Sequence, residues 1–558
     1  MSVEAIEQRG SRRLPGGVAS AHADRFVYGM MPPAELWPEF DYSIEPLASF
    51  PDFMNVADVL LDPADKEVLG DKPVFHYEGQ TWSYRQLREH VDRIARVLVE
   101  DYGLVPGNRV LLRSANTPML AACWLAVLKA GGICVTTMSL LKAQELGFIV
   151  NRVRVRVALC EESLADEMQA AARSAQCLER VAYFTPMGTD ASQAADLDRA
   201  LRSKTTGFAS VRTAADDIAL IAFTSGTTGN PKATVHFHRD VIATTHGFAR
   251  VFGVDANDVV CGSPSMAFTY GLAVLLVFPV RFGATVALVS RPTPQQILSA
   301  VERYRVTSLY GVPTAYRQML EHLDRFDISS LRKCASSGEN LQSSLRNAWR
   351  ERTGIGLVNC YGATEFVATV MSESPAGDGS GSAGMPVPGY TARIVGREGQ
   401  PLPVNENGRL ALRGPTGCRY LDDLEHQQAY VQDGWNVVSD IFFQDADGLF
   451  WFVDRADDMI ISSGHNISPQ EVERVLGEHP MVRECAVIGV DDAVRGKLVR
   501  ACVVLHDRAQ ATKETAASLQ EFVKNRIAPY KYPRDIRFYD ELPRTQTGKL
   551  QRQRLRSA

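Results

Sequence analysis

The chain has 558 residues, a formal net charge of −5 and a hydrophobic content of 45%. Two or more domains are expected at this length, and the nearly balanced charge gives no overall attraction for nucleic acid or anionic membranes. Ten cysteines occur without a C-x-x-C pair, which argues against a zinc site or a disulfide framework. No signal peptide is visible, and the apolar run Gly271–Val280 is too short to span a bilayer. We therefore expect a cytoplasmic protein without a membrane span.

After an irregular lead-in over residues 1–50, strand-like and helix-like patterns alternate along the chain. Strands are predicted at Arg109–Arg113, Ile133–Thr137, Val153–Cys160, Thr285–Ser290, Ser308–Val312 and Gly356–Asn359. Helices are predicted at Pro118–Ala130, Pro294–Tyr304 and Ser343–Arg352. Such alternation is typical of an α/β fold with largely parallel sheets.

The composition of the sequence changes near residue 384, where glycine, proline and short predicted strands begin to dominate. Predicted strands at Tyr390–Val395, Gly408–Arg413 and Leu449–Val453 indicate a small β-rich subdomain. A mixed region follows, with helices predicted at Gln470–Glu478 and Ala516–Ile527 and strands at Val482–Gly489 and Val499–Leu505. We therefore expect a large N-terminal domain of α/β subdomains and the β-rich subdomain over residues 1–456. A small α+β C-terminal domain is expected over residues 457–558.

The most informative segment is residues 224–232, Thr-Ser-Gly-Thr-Thr-Gly-Asn-Pro-Lys, directly after the apolar run Ile218–Phe223. Hydroxyls, a backbone made accessible by glycine, and a lysine are the groups that bind polyphosphates. The spacing Gly226-x-x-Gly229-x-x-Lys232 differs from that of the common P-loop. On its own, the segment is equally compatible with a polar surface loop.

Four further clusters follow. Residues 361–365 (Tyr-Gly-Ala-Thr-Glu) offer a ring for stacking on a base, a hydroxyl for phosphate and a carboxylate for Mg²⁺. The predicted strand Trp435–Asp440 ends in a carboxylate that suits ribose hydroxyls, and residues 454–466 join a charged cluster to a Ser/Gly turn. Residues 543–549 end in a lysine within a polar turn. Each alone has an ordinary alternative: a β-turn, a strand end, a linker or an exposed terminal lysine.

In type and order, the five clusters resemble those of the acyl-adenylate-forming superfamily, which includes acyl-CoA synthetases, stand-alone adenylation domains and firefly-type luciferases. Within it, the chain looks most like benzoate-CoA and 2-aminobenzoate-CoA ligases, on the segments Pro231–Arg239, Ala267–Gly271 and Trp37-Pro38. The resemblance implies the co-substrates ATP and coenzyme A, the cofactor Mg²⁺, and a mobile C-terminal domain that rotates between two half-reactions.

The resemblance also implies a role for each matching residue in ATP binding. The loop would hold the β- and γ-phosphates through Thr224, Ser225, Gly226, Thr227, Thr228, Gly229 and Lys232. Tyr361, beside Gly362, would stack on adenine, while Asp440 would hold the ribose and Arg455 the ribose or a phosphate.

The catalytic roles are implied in the same way. Thr364 would contact the α-phosphate, Glu365 would bind Mg²⁺, and Lys549 would bridge the substrate carboxylate and the α-phosphate. Asp457 falls at the hinge, and Gly464 falls in the loop that lines the pantetheine tunnel after rotation. Ala233 and Asp454 stand where the family commonly has glycine, and neither change removes a catalytic group.

The residues implied at the acyl pocket combine small and aromatic side chains, which suit a flat or bulky ring. They are His236, Phe237, Phe268, Gly311, Ser337, Gly338 and Ala363. We therefore expect a ligase that adenylates an aromatic or bulky cyclic carboxylic acid and then forms its CoA thioester. The alternative is a stand-alone adenylating enzyme that delivers the acyl group to a carrier-protein thiol or to a second enzyme. No nucleic-acid partner is expected, and the oligomeric state, a homodimer included, stays open.

Overall fold

The computed structural model describes residues 18–61, 69–188, 195–224, 231–338, 341, 343–375, 380–455, 460–467, 469–543 and 552–556. Its strands are, in chain order, β1 (Pro73–Tyr77), β2 (Gln80–Ser83), β3 (Arg109–Arg113), β4 (Ile133–Thr137), β5 (Val157–Glu161), β6 (Arg180–Phe184), β7 (Ile218–Thr224), β8 (Lys232–Phe237), β9 (Val259–Gly262), β10 (Thr285–Ala287), β11 (Ser308–Gly311), β12 (Lys333–Ser336), β13 (Leu357–Gly362), β14 (Thr369–Ser372), β15 (Met385–Pro386), β16 (Thr391–Val395), β17 (Gly408–Arg413), β18 (Val431–Gln432), β19 (Trp435–Gln444), β20 (Phe450–Arg455), β21 (Ile460–Ser462), β22 (His465–Ile467), β23 (Val482–Asp492), β24 (Gly496–Leu505) and β25 (Asp535–Phe538).

Its α-helices are α1 (Val56–Leu61), α2 (Tyr84–Arg96), α3 (Pro118–Lys129), α4 (Ala143–Arg152), α5 (Ala165–Ala172), α6 (Asp196–Leu201), α7 (His238–Ala243), α8 (Phe248–Phe252), α9 (Thr269–Leu272), α10 (Phe278–Phe282), α11 (Pro294–Tyr304), α12 (Pro313–Leu320), α13 (Ser343–Thr353), α14 (Leu424–Tyr430), α15 (Pro469–Gly477), α16 (Lys513–Lys524) and α17 (Arg552–Arg556). None of the helices in this described part of the chain has the length and apolarity needed to cross a membrane.

Two large sheets form the N-terminal part of the fold. One has the strand order β6-β5-β3-β4-β7-β8, and the other has the order β15-β14-β13-β12-β11-β9-β10-β1-β2. In the first, the strands run parallel except for β8, which returns antiparallel to β7. In the second, the central strands are parallel and the antiparallel strands lie at the two ends. The carboxyl ends of parallel strands are where α/β folds place their ligands.

The largest core cluster is shared by the two sheets and by the almost wholly apolar helix α3. Thr117 caps this helix by accepting a hydrogen bond from the backbone N–H of Leu120, and Pro118 occupies its first position. Trp124, at its centre, is fully buried against this core. The helix is buried all round because its sequence offers no polar face.

Two smaller sheets follow in the chain. The first is an antiparallel sheet of β16, β17, β18, β19 and β20. The second contains β21, β22, β23, β24 and β25, packed against α15 and α16 around a separate core. This arrangement confirms the predicted fold class: α/β, with a large N-terminal part, a small β-rich unit and a small α+β C-terminal part.

The lead-in is tied to the large part by polar and aromatic contacts. Tyr28 donates a 2.9 Å hydrogen bond to Asp217, Asp24 pairs with the buried guanidinium of Arg109, and Trp37 packs on Phe237 with 5.8 Å between ring centroids. These contacts explain how a segment with little regular structure is held in place.

Candidate active site

One cavity of about 1710 Å³ is lined by residues from all of these units. It brings together residues that the sequence placed in different clusters: Thr224, Lys232, Tyr361, Gly362, Ala363, Thr364, Glu365, Asp440 and Gly464. Since these residues come from separate sheets, the fold itself assembles them. The cavity is therefore the candidate active site.

The end of β13 supplies one wall of the cavity. Gly362 is the last residue of that strand, and a Cβ there would lie 2.5 Å from the carbonyl oxygen of Ala368. A side chain at this position would collide with backbone, so the sequence needs glycine here. Beyond it, a single 3₁₀ turn at Thr364–Phe366 places Thr364 and Glu365 on the cavity.

Tyr361 and Asp440, both predicted to bind the nucleotide, are in direct contact. The Tyr361 hydroxyl donates to Asp440 Oδ2 at 2.7 Å, and the Tyr361 ring packs edge-on against Phe442 at 5.1 Å. Asp440 in turn lies opposite Arg455 in the antiparallel pair β19–β20. The positions predicted for the base and the ribose are therefore in contact, and the backbone of Arg455, predicted to contact the ribose or a phosphate, pairs with that of Asp440.

Glu365 belongs to a second group, which contains a residue that the sequence analysis missed. The hydroxyl of Tyr420 donates to Glu365 Oε1, and the Lys232 ammonium lies 5.4 Å from the centroid of the Tyr420 ring. Burial, together with the charge of Glu365, raises the pKa of Tyr420 well above its usual value, so it stays a neutral donor. No local motif marks Tyr420, which becomes recognisable only through these contacts.

The environment of Glu365 suits Mg²⁺. Its side chain is 8% exposed and lines the cavity, and Mg²⁺ is typically held by one or two carboxylates together with substrate phosphates and water. A tyrosine that orients the carboxylate is the kind of outer partner that ligands of metal ions usually have.

Of the residues expected at the acyl pocket, Phe268, Ser337, Gly338 and Ala363 line the cavity. Phe268 is 40% exposed, so its ring is accessible on the cavity wall. Gly338 has a φ of +86°, a conformation that favours glycine.

His236, Phe237 and Gly311 do not line this cavity, contrary to expectation. His236 and Phe237 are buried on β8, where the Arg419 guanidinium lies 4.0 Å from the Phe237 ring centroid. A Cβ on Gly311 would lie 2.8 Å from the ring of Tyr316. These three side-chain positions face packed neighbours and add nothing to the lining of this cavity.

The C-terminal part contributes a wall of the cavity that lies against Val312 of the large part. Ser463 and Gly464 form the two-residue turn between β21 and β22, with φ values of 50° and 79°. His465 follows and stacks on Tyr530 with 4.0 Å between centroids; burial and Lys531 lower the pKa of His465 to about 4. Both rings line the cavity, so His465 is a neutral, aromatic wall residue at neutral pH.

Several predicted site residues lie outside the described residues. They are Ser225, Gly226, Thr227, Thr228 and Gly229 of the loop, Asp457 and Lys549. The two residues that flank the loop, Thr224 and Lys232, are directly opposite each other in the β7–β8 pair.

Comparisons with known proteins point to one enzyme family. The family model "AMP-binding enzyme" matches residues 64–419, and the model "AMP-binding enzyme C-terminal domain" matches residues 471–549. The benzoate–CoA ligase of Thauera aromatica is 32% identical over 519 residues, which cover 92% of this chain and 98% of that protein.

Two solved structures are also similar. The anthranilate CoA ligase AuaEII in complex with anthranoyl-AMP has a TM-score of 0.71 and 29% identity, covering 91% of this chain and 98% of that one. The amide bond synthetase McbA of Marinactinospora thermotolerans has a TM-score of 0.81 and 28% identity, covering 90% and 99%.

The chain therefore belongs to the AMP-binding enzyme family, the acyl-adenylate-forming superfamily that its motifs resemble. It is an AMP-forming acid–thiol ligase of the acyl-CoA synthetase type. ATP, Mg²⁺ and coenzyme A are the cofactor and co-substrates of this class, as the sequence predicted.

Proposed function

We propose that this enzyme activates an aromatic or bulky cyclic carboxylic acid as its acyl-adenylate and then transfers the acyl group to CoA. The observation that carries the proposal is the single cavity, which joins the Tyr361–Asp440 pair, the exposed ring of Phe268 and the Gly464 turn. One pocket could thus serve nucleotide, acid and thiol in turn.

The character of the acyl wall supports a ring-shaped substrate. Phe268 presents a flat apolar surface, and Ala363, Ser337 and Gly338 line the same cavity with small side chains or none. Flat rings fill such a pocket with little loss of conformational freedom. The benzoate–CoA ligase and the structure with anthranoyl-AMP show by their names that similar proteins act on or bind aromatic acyl groups.

In the first half-reaction, a carboxylate oxygen of the acid attacks the α-phosphorus, and the bond to the β-phosphate oxygen breaks to release pyrophosphate. We assign Lys549 to the substrate carboxylate and the α-phosphate, Thr364 to the α-phosphate and Lys232 to the departing phosphates. Fixed charges of this kind stabilise the transition state by alignment and electrostatics. Mg²⁺, held through Glu365, would neutralise charge on the phosphates.

In the second half-reaction, the CoA sulfur attacks the acyl carbon and the bond to the AMP oxygen breaks. We infer a boundary between domains 1–456 and 457–558 and a rotation about Asp457 that brings the Gly464 turn into the cavity. The position of Gly464 beside Val312 supports the assignment of the present orientation to thioester formation. Rotation removes Lys549 from the path of the thiol.

One observation favours a second candidate, in which the adenylate is passed to an amine or to a carrier-bound thiol. The amide bond synthetase McbA superposes on this chain with a TM-score of 0.81. The two functions share the first half-reaction and differ only in the acceptor.

The test is pyrophosphate exchange with benzoate, 2-aminobenzoate, cyclohexanecarboxylate, butyrate and octanoate, followed by product analysis with CoA or an amine. The proposal expects the fastest exchange with ring acids and an acyl-CoA product. Exchange that gives an amide and no thioester would favour the second candidate. Ten free cysteines suit a reducing compartment, and we place the enzyme in the cytoplasm.

A further inference from the structure

A buried cluster of three charged side chains joins the C-terminal part to the large part. Lys531 Nζ donates to Glu145 Oε1 and to Glu471 Oε1, each at 2.7 Å. The three side chains are only 6%, 7% and 4% exposed for Lys531, Glu145 and Glu471. Lys531 and Glu145 are 386 positions apart in the chain, so the contact is purely tertiary.

The cluster divides unevenly between the two parts. Glu471 lies on α15 and Lys531 on the 3₁₀ turn Pro529–Lys531, both in the C-terminal part, whereas Glu145 lies in the first turn of α4. The Lys531–Glu471 bond would therefore survive any rigid rotation of the C-terminal domain. Within the cluster, only the bond to Glu145 depends on the present orientation.

The surroundings of the ammonium favour its charged form. Burial alone would lower the pKa of Lys531, but Tyr530 and the carboxylates of Glu471 and Glu145 outweigh burial and raise it. A buried ammonium that loses a carboxylate partner is strongly disfavoured, because its desolvation is no longer compensated. The Glu145 contact can therefore discriminate between orientations.

The cluster is also placed to act on the cavity. Lys531 directly follows Tyr530, whose ring stacks on His465 next to the Gly464 turn. Lys531 and Glu471 themselves line the cavity. A second contact between the two parts, from the Arg317 guanidinium to the carbonyl oxygen of Ala493, lies on the exposed surface.

We propose that Glu145 is a positioning residue for thioester formation: through Lys531 it holds the C-terminal domain where Gly464, His465 and Tyr530 complete the cavity. This inference rests on the proposed two-step function. Glu145 touches neither substrate nor reacting atoms in this account, and it acts only on the population of the thioester-forming orientation.

The test measures the two half-reactions separately in Glu145→Gln, using the acid of the above panel that gives the fastest exchange. Thioester formation from supplied acyl-adenylate and CoA is expected to fall at least about tenfold, the factor for a contact worth 1.4 kcal/mol. Pyrophosphate exchange is expected to stay within about twofold, since adenylation uses the other orientation. Glu145→Asp, which keeps the negative charge on a shorter side chain, should recover part of the lost rate of thioester formation.

The matched control is Glu167→Gln. Glu145 Oε2 accepts from the backbone N–H of Lys142 at 3.0 Å, and Glu167 accepts from that of Ala143 at 2.8 Å. Both substitutions disturb the start of α4, but only Glu145 contacts Lys531. Glu167→Gln should leave both half-reactions unchanged.

The proposal is overturned if Glu145→Gln lowers both half-reactions equally, or lowers neither. If circular dichroism shows that Glu145→Gln does not fold, the same two criteria are applied to Glu145→Asp. If the unaltered enzyme shows exchange but forms no acyl-CoA, the proposed function fails whatever Glu145 does. The two failures are thus distinguishable.

Discussion

Adding one methyl group at Gly464 should affect one half-reaction and spare the other. A Cβ at Gly464 would lie 2.9 Å from Val312 Cγ1 and 3.2 Å from Val312 Cβ. Gly464 belongs to the C-terminal part and Val312 to the large part, so this collision exists only when the turn is in the cavity. Gly464→Ala should therefore impair thioester formation selectively.

Two free-energy costs of alanine at position 464 determine how far each half-reaction slows. The φ of +79° strains alanine by about 1–2 kcal/mol, but it does so in either orientation and mainly lowers stability. Overpacking against Val312 adds about 1–3 kcal/mol in the present orientation alone. Thioester formation should accordingly fall about five- to 150-fold, with pyrophosphate exchange nearly unchanged.

The assay is rapid-quench thioester formation from supplied acyl-adenylate, beside pyrophosphate exchange on the same preparation. Gly496→Ala is the matched control, because Gly496 has a φ of +72° and a Cβ there would meet only the carbonyl oxygen of Ile461, at 3.9 Å. Adding Val312→Ala to Gly464→Ala should restore the thiol step relative to Val312→Ala alone. Equal loss of both half-reactions, or no restoration in the double variant, would refute the reasoning.

Three further predictions concern other parts of the molecule. Tyr420→Phe removes the hydrogen bond that orients Glu365. The Mg²⁺ concentration needed for half-maximal pyrophosphate exchange should therefore rise about tenfold or more. An unchanged Mg²⁺ dependence would contradict this role of Tyr420. Burial lowers the pKa of both His22 and His236 from 6.5 to about 4. Below pH 6.5 the unfolded chain binds protons at these histidines that the folded protein does not bind. The free energy of unfolding should therefore fall as the pH drops from 6.5 towards 4. At pH 5, urea unfolding should show a loss of about 2 kcal/mol for each histidine, and a pH-independent midpoint would contradict this. Lys549→Ala should lower exchange strongly while sparing thioester formation from supplied adenylate; equal loss in both would contradict the assigned role.

Regular elements with clear boundaries could be predicted from the sequence. The bounds of β3, β4 and α11 match the expectations, because turn or capping residues flank strongly apolar or periodic segments. The expected strand Val153–Cys160 is instead β5 at Val157–Glu161. Val153 and Val155 are buried like strand residues, but Arg154 between them has a φ of 49° and turns the chain.

The site could be predicted only where a local motif carried it. Tyr361, Glu365 and Asp440 stand in recognisable clusters, and the structure gathers them around one cavity. Tyr420 and Lys531 have no such motif, because their partners are 55 and 386 positions away. Long-range side-chain contacts leave no periodic trace in a single sequence.

The most direct test of the central account is product stoichiometry in a complete reaction with ATP, Mg²⁺, CoA and a ring acid such as benzoate or 2-aminobenzoate. Quantitative chromatography should find one AMP, one pyrophosphate and one aryl-CoA for each ATP consumed. ADP in place of AMP, or AMP formed without aryl-CoA, would contradict an adenylate-forming CoA ligase built around this cavity.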